Sequence, residues 1–217
     1  MDRSNPYEAA FEAYLQNLGL CYVAVDEAKR ATLGDTPIKN LDFLVLGMGG
    51  SRLLIDIKGR RFPGGTADKP RYVWENWATQ DDIDGLRAWS QAFGPGYQSL
   101  FVFMYRIGPT VLLDETADLW TCRDVKYLLR AVSVDDYVTS MKVRSPKWGT
   151  VSVPSAAFRT MAKPFRWFAI DAASGTPDQE AWEHDEVANR PVSEIFSLPP
   201  AANAGGNPAS GSPGRGT

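Results

Sequence analysis

The sequence predicts an α/β protein, and three observations carry that expectation. Residues 6–18 have helical spacing and stop at Gly19. Two apolar runs, Leu41–Leu46 and Leu53–Lys58, flank a glycine-rich turn and look like a strand hairpin. A second helical pattern, Thr79–Phe93, stops at Gly94-Pro95-Gly96 and is followed by the strong strand candidate Leu100–Ile107.

Taken in order, Asn5-Pro6 makes a helix entry, and Ala9, Phe11, Leu15 and Leu18 fall near one helical face. Leu20–Val25 is a strand candidate, followed by charged residues 26–30 and a polar, turn-like stretch over 31–40. The hairpin spans Leu41–Lys58. Residues 59–78 are expected to form a long loop or lid. Thr79 with Asp82 three positions on resembles a capping box for the next helix, on which Ile83, Leu86, Trp89 and Phe93 share a face before Gly94-Pro95-Gly96 stops it. Beyond the Leu100–Ile107 strand, short strands are expected at 111–113, 119–121 and 151–153. Short helices are expected at 133–141 and 155–161. The expected organisation is one domain over 1–170 with its core at about 6–106, an acidic, partly ordered extension over 171–198 and a disordered tail over 199–217.

The 217 residues carry 44% hydrophobic and 23% charged side chains, ordinary for a globular domain. A net charge of −3 argues against a broad basic face for indiscriminate nucleic-acid binding, though not against a local basic groove. Cys21 and Cys122 are too few and too far apart for a disulfide framework or zinc site; Cys21 is expected in the core. With no signal-peptide core and no apolar run of membrane-spanning length, a cytoplasmic location is the expectation. The lone histidine, His184, has no neighbours that would make it a catalytic base.

The hairpin holds charges where a core should have none. Asp42 opens its first strand, and Asp56 and Lys58 interrupt the second. Strand alternation puts Asp56 and Lys58 on one face and Ile55 and Ile57 on the other. A turn centred on Gly49 would set Asp42 directly across from Asp56, with Cβ atoms roughly 4.5–5.5 Å apart. Two carboxylates so close repel unless a cation lies between them, and a divalent metal on oxygen ligands is the natural resolution. A slip of one residue would defeat this geometry. Blander readings are Asp42 as a turn cap and Asp56/Lys58 as an outward pair on an edge strand. The glycines do not precede a helix, so no dinucleotide-binding loop is present.

Asp42, then Asp56-Ile57-Lys58, with a glutamate on a preceding helix, resembles the PD-(D/E)XK nuclease superfamily, which includes restriction endonucleases, archaeal Holliday junction resolvases and RecB-type exonucleases. Leu41 stands where the motif often has proline. The resemblance implies an αβββαβ core with a mixed central sheet flanked by helices, and a Mg²⁺-dependent nuclease acting on DNA, with Mn²⁺ able to substitute. It implies that Asp42 and Asp56 hold the metal with the backbone carbonyl of Ile57, helped by Glu8 on the first helix (Glu12 being the reserve choice). Lys58 would assist the attacking water. Gln80 matches a glutamine that RecB-like members place near the site. Many relatives act as dimers, so a homodimer is a further expectation.

Arg60 and Arg61 after the hairpin, Lys69 and Arg71 in the following segment, and Arg52 in the turn would make a local rim for phosphates, or simply a solvated charge run. Trp74 and Trp77 would stack on bases or, more simply, cover the core. Asp26, Glu27, Lys29 and Arg30 are candidate supporting groups. The competing functional expectation is a non-catalytic relative that retains the fold to bind nucleic acid or protein.

Overall fold

The computed structural model describes residues 5–25, 31–33, 36–66, 68–111, 113 and 119–170. The expectations for 26–30, for His184, for the extension over 171–198 and for the tail lie outside the described residues.

The first helix, α1 (Pro6–Asn17), begins where Asn5-Pro6 marks it, and the Asn5 side chain accepts the Tyr7 N–H as a cap. The sheet strands that follow are β1 (Cys21–Ala24), β2 (Phe43–Leu46) and β3 (Arg52–Phe62). Helix α2 (Gln80–Phe93) then leads into β4 (Tyr97–Ile107). These elements run helix, three strands, helix, strand: the αβββαβ order that the resemblance implied. Strands β5 (Leu119–Cys122) and β6 (Val125–Ser133) complete one six-stranded sheet in the order β1-β2-β3-β4-β6-β5. Its neighbours are antiparallel except β3 and β4, which run parallel because the chain crosses back through α2. The sheet is therefore mixed, as the resemblance implied.

Alternation along β3 and β4 separates two cores. Leu53, Ile55, Ile57, Leu100, Val102 and Met104 face α1 and the short helix α5 (Phe165–Ala169), meeting Phe11, Leu15, Phe165 and Phe168. Leu54, Phe62, Phe101, Phe103 and Tyr105 face the other way. They pack on Ile83 and Leu86 of α2, on Tyr137 of α3 (Val134–Ser140) and on Phe158 of α4 (Ser155–Met161). With both faces covered, β3 and β4 are nearly uninterrupted apolar runs, the signature of an interior strand. Each fully buried aliphatic or aromatic side chain contributes about 1.5–3 kcal/mol, enough to hold charged residues in the same strands.

Several expectations are corrected. The 31–40 stretch is not simply turn-like: 31–33 pairs with 36–38. The region expected as a lid is largely ordered backbone, since β3 runs to Phe62 and 64–66 pairs with 69–71. Beyond it, Ala78–Thr79 joins a small sheet with Lys142–Ser145 and Thr150–Ser152. Strand β6 and helix α5 had no sequence expectation, and no strand forms at 111. Cys21 is exposed, not core: β1 is the edge strand, and its Tyr22 and Ala24 take the α1 face while Cys21 and Val23 point away from it.

Candidate active site

From Leu46 to Phe43 the hairpin register is the one a turn at Gly49 demands, but the ladder stops short of Asp42, which, contrary to expectation, is not paired with Asp56. Gly49 and Gly50 both take positive φ, 66° and 87°, which an ordinary side chain rarely adopts. Paired positions run from Leu46 with Arg52 to Phe43 with Ile55, so their numbers always add to 98. The regular ladder ends there. Asp42 lies at a bend, its N–H donating to the Ile55 carbonyl at 2.8 Å and its carbonyl accepting from Val25 at 2.9 Å. Strand β3 continues past the end of β2, and the edge that β2 does not cover begins at Ile57. Its N–H has lost a backbone partner on that side, and the Asp42 carboxylate supplies one at 2.5 Å. In a strand the N–H and C=O of one residue point the same way, so the Ile57 carbonyl shares this edge with Asp42.

Asp56 and Lys58 emerge toward α2. Asp42 is 3% exposed, Asp56 4%, Lys58 8% and Asp82 2%, so this is an interior cluster of charges and not a solvated face. Lys58 Nζ lies 2.7 Å from Asp56 Oδ1 and 2.9 Å from Asp82 Oδ2. Asp82 also pairs with Lys39. It comes to this point as the third residue of α2, where a true capping box ties it to Thr79: the Thr79 N–H donates to Asp82 Oδ2 at 2.7 Å, and Thr79 Oγ1 accepts from the Asp82 N–H at 3.2 Å. Lys39 is fixed by the same helix. The Trp89 indole donates to its carbonyl at 3.0 Å, and a Cβ on Gly85 would stand 2.9 Å from that oxygen, closer than a side chain permits.

The electrostatics follow from burial and count. Burial pushes the Asp56 carboxyl up, against the pull of Lys58, and the nearby Asp82 charge adds to the rise. Burial opposes ionisation of Asp82 too, but Lys58 and Lys39 together hold it at about 2. Burial would lower Lys39; Asp56, Asp82 and Asp42 outweigh it and raise the ammonium above its ordinary value. Three carboxylates thus face two ammonium groups, and the site is short by one positive charge when all are ionised. Among the described residues no group of three His, Cys, Asp or Glu side chains is disposed to hold a metal ion. The donors expected from the sequence, the Asp42 and Asp56 carboxylates and the Ile57 carbonyl, are all hard oxygens. Such a set suits an ion that keeps several of its own waters, as Mg²⁺ does.

The other candidates are distributed around this centre. Glu8 is buried in the first turn of α1, where the Asn5 amide donates to it. Glu12 accepts from the Tyr22 hydroxyl at 3.0 Å. Arg60, two residues beyond Lys58 on the same face, lies 4.0 Å above the Trp77 ring and donates to the carbonyls of Gly59 and Trp77. Burial lowers its pKa. Arg61 is exposed. Arg52 sits at the far end of β3, about 13 Å from Asp56 by strand rise, with its guanidinium 5.5 Å from the Tyr97 ring. Gln80 is exposed and donates to Asp84 at 3.0 Å, along its own helix. Arg71 pairs with Glu75 at 2.8 Å. Trp74 covers the core, stacked on Phe62 at 3.6 Å. Lys39 and Asp82 were missed as site residues. Asp82 had been visible only as a helix cap, and nothing local in the sequence connects it to Lys58.

No protein-family model and no curated protein matches the chain. Among solved structures, it is similar to Hjc, a Holliday junction resolvase from the archaeal hyperthermophile Archaeoglobus fulgidus. The likeness has 14% identity and a TM-score of 0.41, and it covers 71% of this chain and 91% of that one. The α/β class and the αβββαβ order rest on this chain's own strand order and register, independently of that likeness.

Proposed function

We propose that this protein is a metal-dependent nuclease that hydrolyses phosphodiester bonds in DNA. The observation that carries the reading is the junction at the end of β2. There the Asp42 carboxylate takes over the Ile57 N–H at 2.5 Å, bringing it to the strand that bears Asp56 and Lys58. Asp42, Asp56 and the Ile57 carbonyl would hold Mg²⁺, or Mn²⁺ in its place, with Glu8 assisting. When bound, the ion lowers the pKa of a water molecule and offsets charge on the phosphate. Lys58, held between Asp56 and Asp82, would donate to the attacking water or to a phosphate oxygen as negative charge builds there. Arg60 and Arg61 lie beyond it along β3 and form the near part of a phosphate rim, while Arg52 sits at the opposite end of the strand and Gln80 is engaged with Asp84. A homodimer would bring two such sites to one duplex, and sedimentation with and without DNA tests that part.

The direct experiment is incubation of the purified chain with duplex, single-stranded and branched DNA and with RNA, in Mg²⁺, Mn²⁺ or EDTA. Cleavage of DNA that needs the metal and disappears in Asp56→Ala and Lys58→Ala is the expected result. No cleavage of any substrate rejects the reading. One observation favours a non-catalytic, nucleic-acid- or protein-binding role instead: Lys58 already serves Asp56 as an internal counter-ion. Under that alternative neither Mg²⁺ nor Mn²⁺ binds at Asp42 and Asp56.

A further inference from the structure

The hairpin over residues 142–152 has no part in the chemistry above, yet it is built against it. Its two strands, Lys142–Ser145 and Thr150–Ser152, are joined by a single 3₁₀ turn, Pro146–Trp148. The turn is fixed at both ends. Gly149, left-handed at φ 54°, donates to the Pro146 carbonyl at 3.3 Å and accepts from the Gln80 N–H at 2.8 Å. The tip therefore rests on the N-terminus of α2, one residue from Thr79, whose own N–H is held by the carboxylate that grips Lys58. A second link lies along the hairpin's flank. The Arg144 guanidinium is 5.5 Å from the Trp77 ring, and Arg60 lies 4.0 Å from the same ring. Both routes lead to the strand face that carries Asp56 and Lys58.

What the hairpin presents is unusual. Trp148 is 71% exposed at its tip, with the Lys147 ammonium 5.3 Å from its ring. A large aromatic ring held in water gains nothing for the fold. Residues 142–152 include three cations, Lys142, Arg144 and Lys147, and no acid, in a chain whose net charge is −3. Cations for a phosphate backbone beside an aromatic platform for a base are the two components of single-strand recognition.

We infer that this hairpin grips an unpaired DNA strand beside the catalytic carboxylates, with Trp148 stacked on a base and Arg144 and Lys147 on the flanking phosphates. The preferred substrate is then DNA with unstacked bases, either single-stranded or at the branch of a flap, and not an uninterrupted duplex. The inference deepens the nuclease reading and rests on it for why the hairpin borders the site. Its test needs no cleavage.

Binding of a fluorescently labelled oligothymidylate, a flapped duplex and a blunt duplex is measured by anisotropy in EDTA, with the intact chain and with Trp148→Ala, Trp148→Phe and the double variant Arg144→Ala/Lys147→Ala. Trp148→Ala should weaken oligothymidylate and flap binding about tenfold and blunt-duplex binding less than about twofold, with Trp148→Phe restoring most of the loss. The double variant should weaken all three and flatten the salt dependence by close to two counter-ions. Because the ring is exposed, an unchanged melting temperature is expected for each Trp148 variant. Equal affinity of the intact chain and Trp148→Ala for oligothymidylate and flap overturns the inference. So does a Trp148→Ala effect confined to self-association, which would make the tip a protein contact. Loss of binding in Trp148→Ala in a chain that never cleaves leaves the inference standing and rejects the nuclease reading alone; cleavage with Trp148-independent binding does the reverse.

Discussion

Asp82 Oδ2 lies 2.9 Å from Lys58 Nζ, so the lysine of the β3 motif is aimed by a residue on another element. The same carboxylate binds Lys39 and caps α2, and its three duties fix it in one orientation. Asp82→Asn removes the charge that holds Lys58 while leaving an oxygen for the cap. For cleavage of a DNA substrate, kcat should fall about 10–100-fold, the usual cost of losing a residue that orients a catalytic group, with KM nearly unchanged. Lys58→Met should cost more. Equal kcat in Asp82→Asn and the intact chain would show that Lys58 needs no such guide.

Asp82 also makes stability depend on acid. Its folded pKa of about 2 lies below the ordinary 3.8, so its stabilisation is complete above the ordinary value and is lost as pH falls from 3.8 through about 2. The amount is on the order of 2 kcal/mol. Asp56 has the opposite sign. Its pKa is raised, so the folded state binds the extra proton, and stability falls as pH rises from the ordinary carboxylate value through the raised one. Urea unfolding of the intact chain and Asp82→Asn across the acid range should give curves that hold a constant gap above 3.8 and converge as pH falls toward about 2. Parallel curves would contradict the assignment.

A cation at Asp42 and Asp56 should reverse the Asp56 penalty by selecting its ionised form. Mn²⁺ is therefore expected to raise the melting temperature, and to do so more strongly as pH rises through the Asp56 titration. At a hundred times its Kd the gain is about 2.7 kcal/mol. Asp42→Asn and Asp56→Asn should each abolish the shift, measured by calorimetry without any substrate.

Gly59 sets how closely α1 approaches the site. A Cβ there would stand 2.4 Å from the Tyr7 ring, against atoms near its root and not a movable end, while the Tyr7 hydroxyl donates to the Arg60 carbonyl at 3.0 Å. Gly59→Ala should destabilise the fold by about 1–3 kcal/mol, as overpacking does. Tyr7→Ala in the same chain should recover part of that loss, a non-additivity that denaturant titration of the four chains resolves. If Glu8 serves the metal, Gly59→Ala should also weaken the Mn²⁺-induced shift, because Glu8 follows Tyr7 on the displaced turn.

The hairpin was legible because its information is local. Gly49 fixes the turn, the turn fixes the register, and alternation fixes which face bears Asp56 and Lys58. The helix starts at Pro6 and Gln80 were likewise written in their caps. Asp82 and Lys39 were not legible as site residues, since their meeting with Lys58 depends on α2 lying across β3. Strand β6 was hidden by Lys126 and Arg130, which break its apolar run. Cys21 shows the limit of composition: an apolar strand at a sheet edge buries only one of its faces. Trp148 gives no periodic signal at all, and its exposure becomes visible only when the rest of the chain is folded.

The capping box of α2 has one more effect. The carboxylate that completes the helix start is the carboxylate that aims Lys58, so the helix cannot fray at Thr79 without releasing the lysine. Under the proposed nuclease function, folding quality and activity would be read by one side chain: a copy that left α2 undocked would also leave Lys58 unaimed.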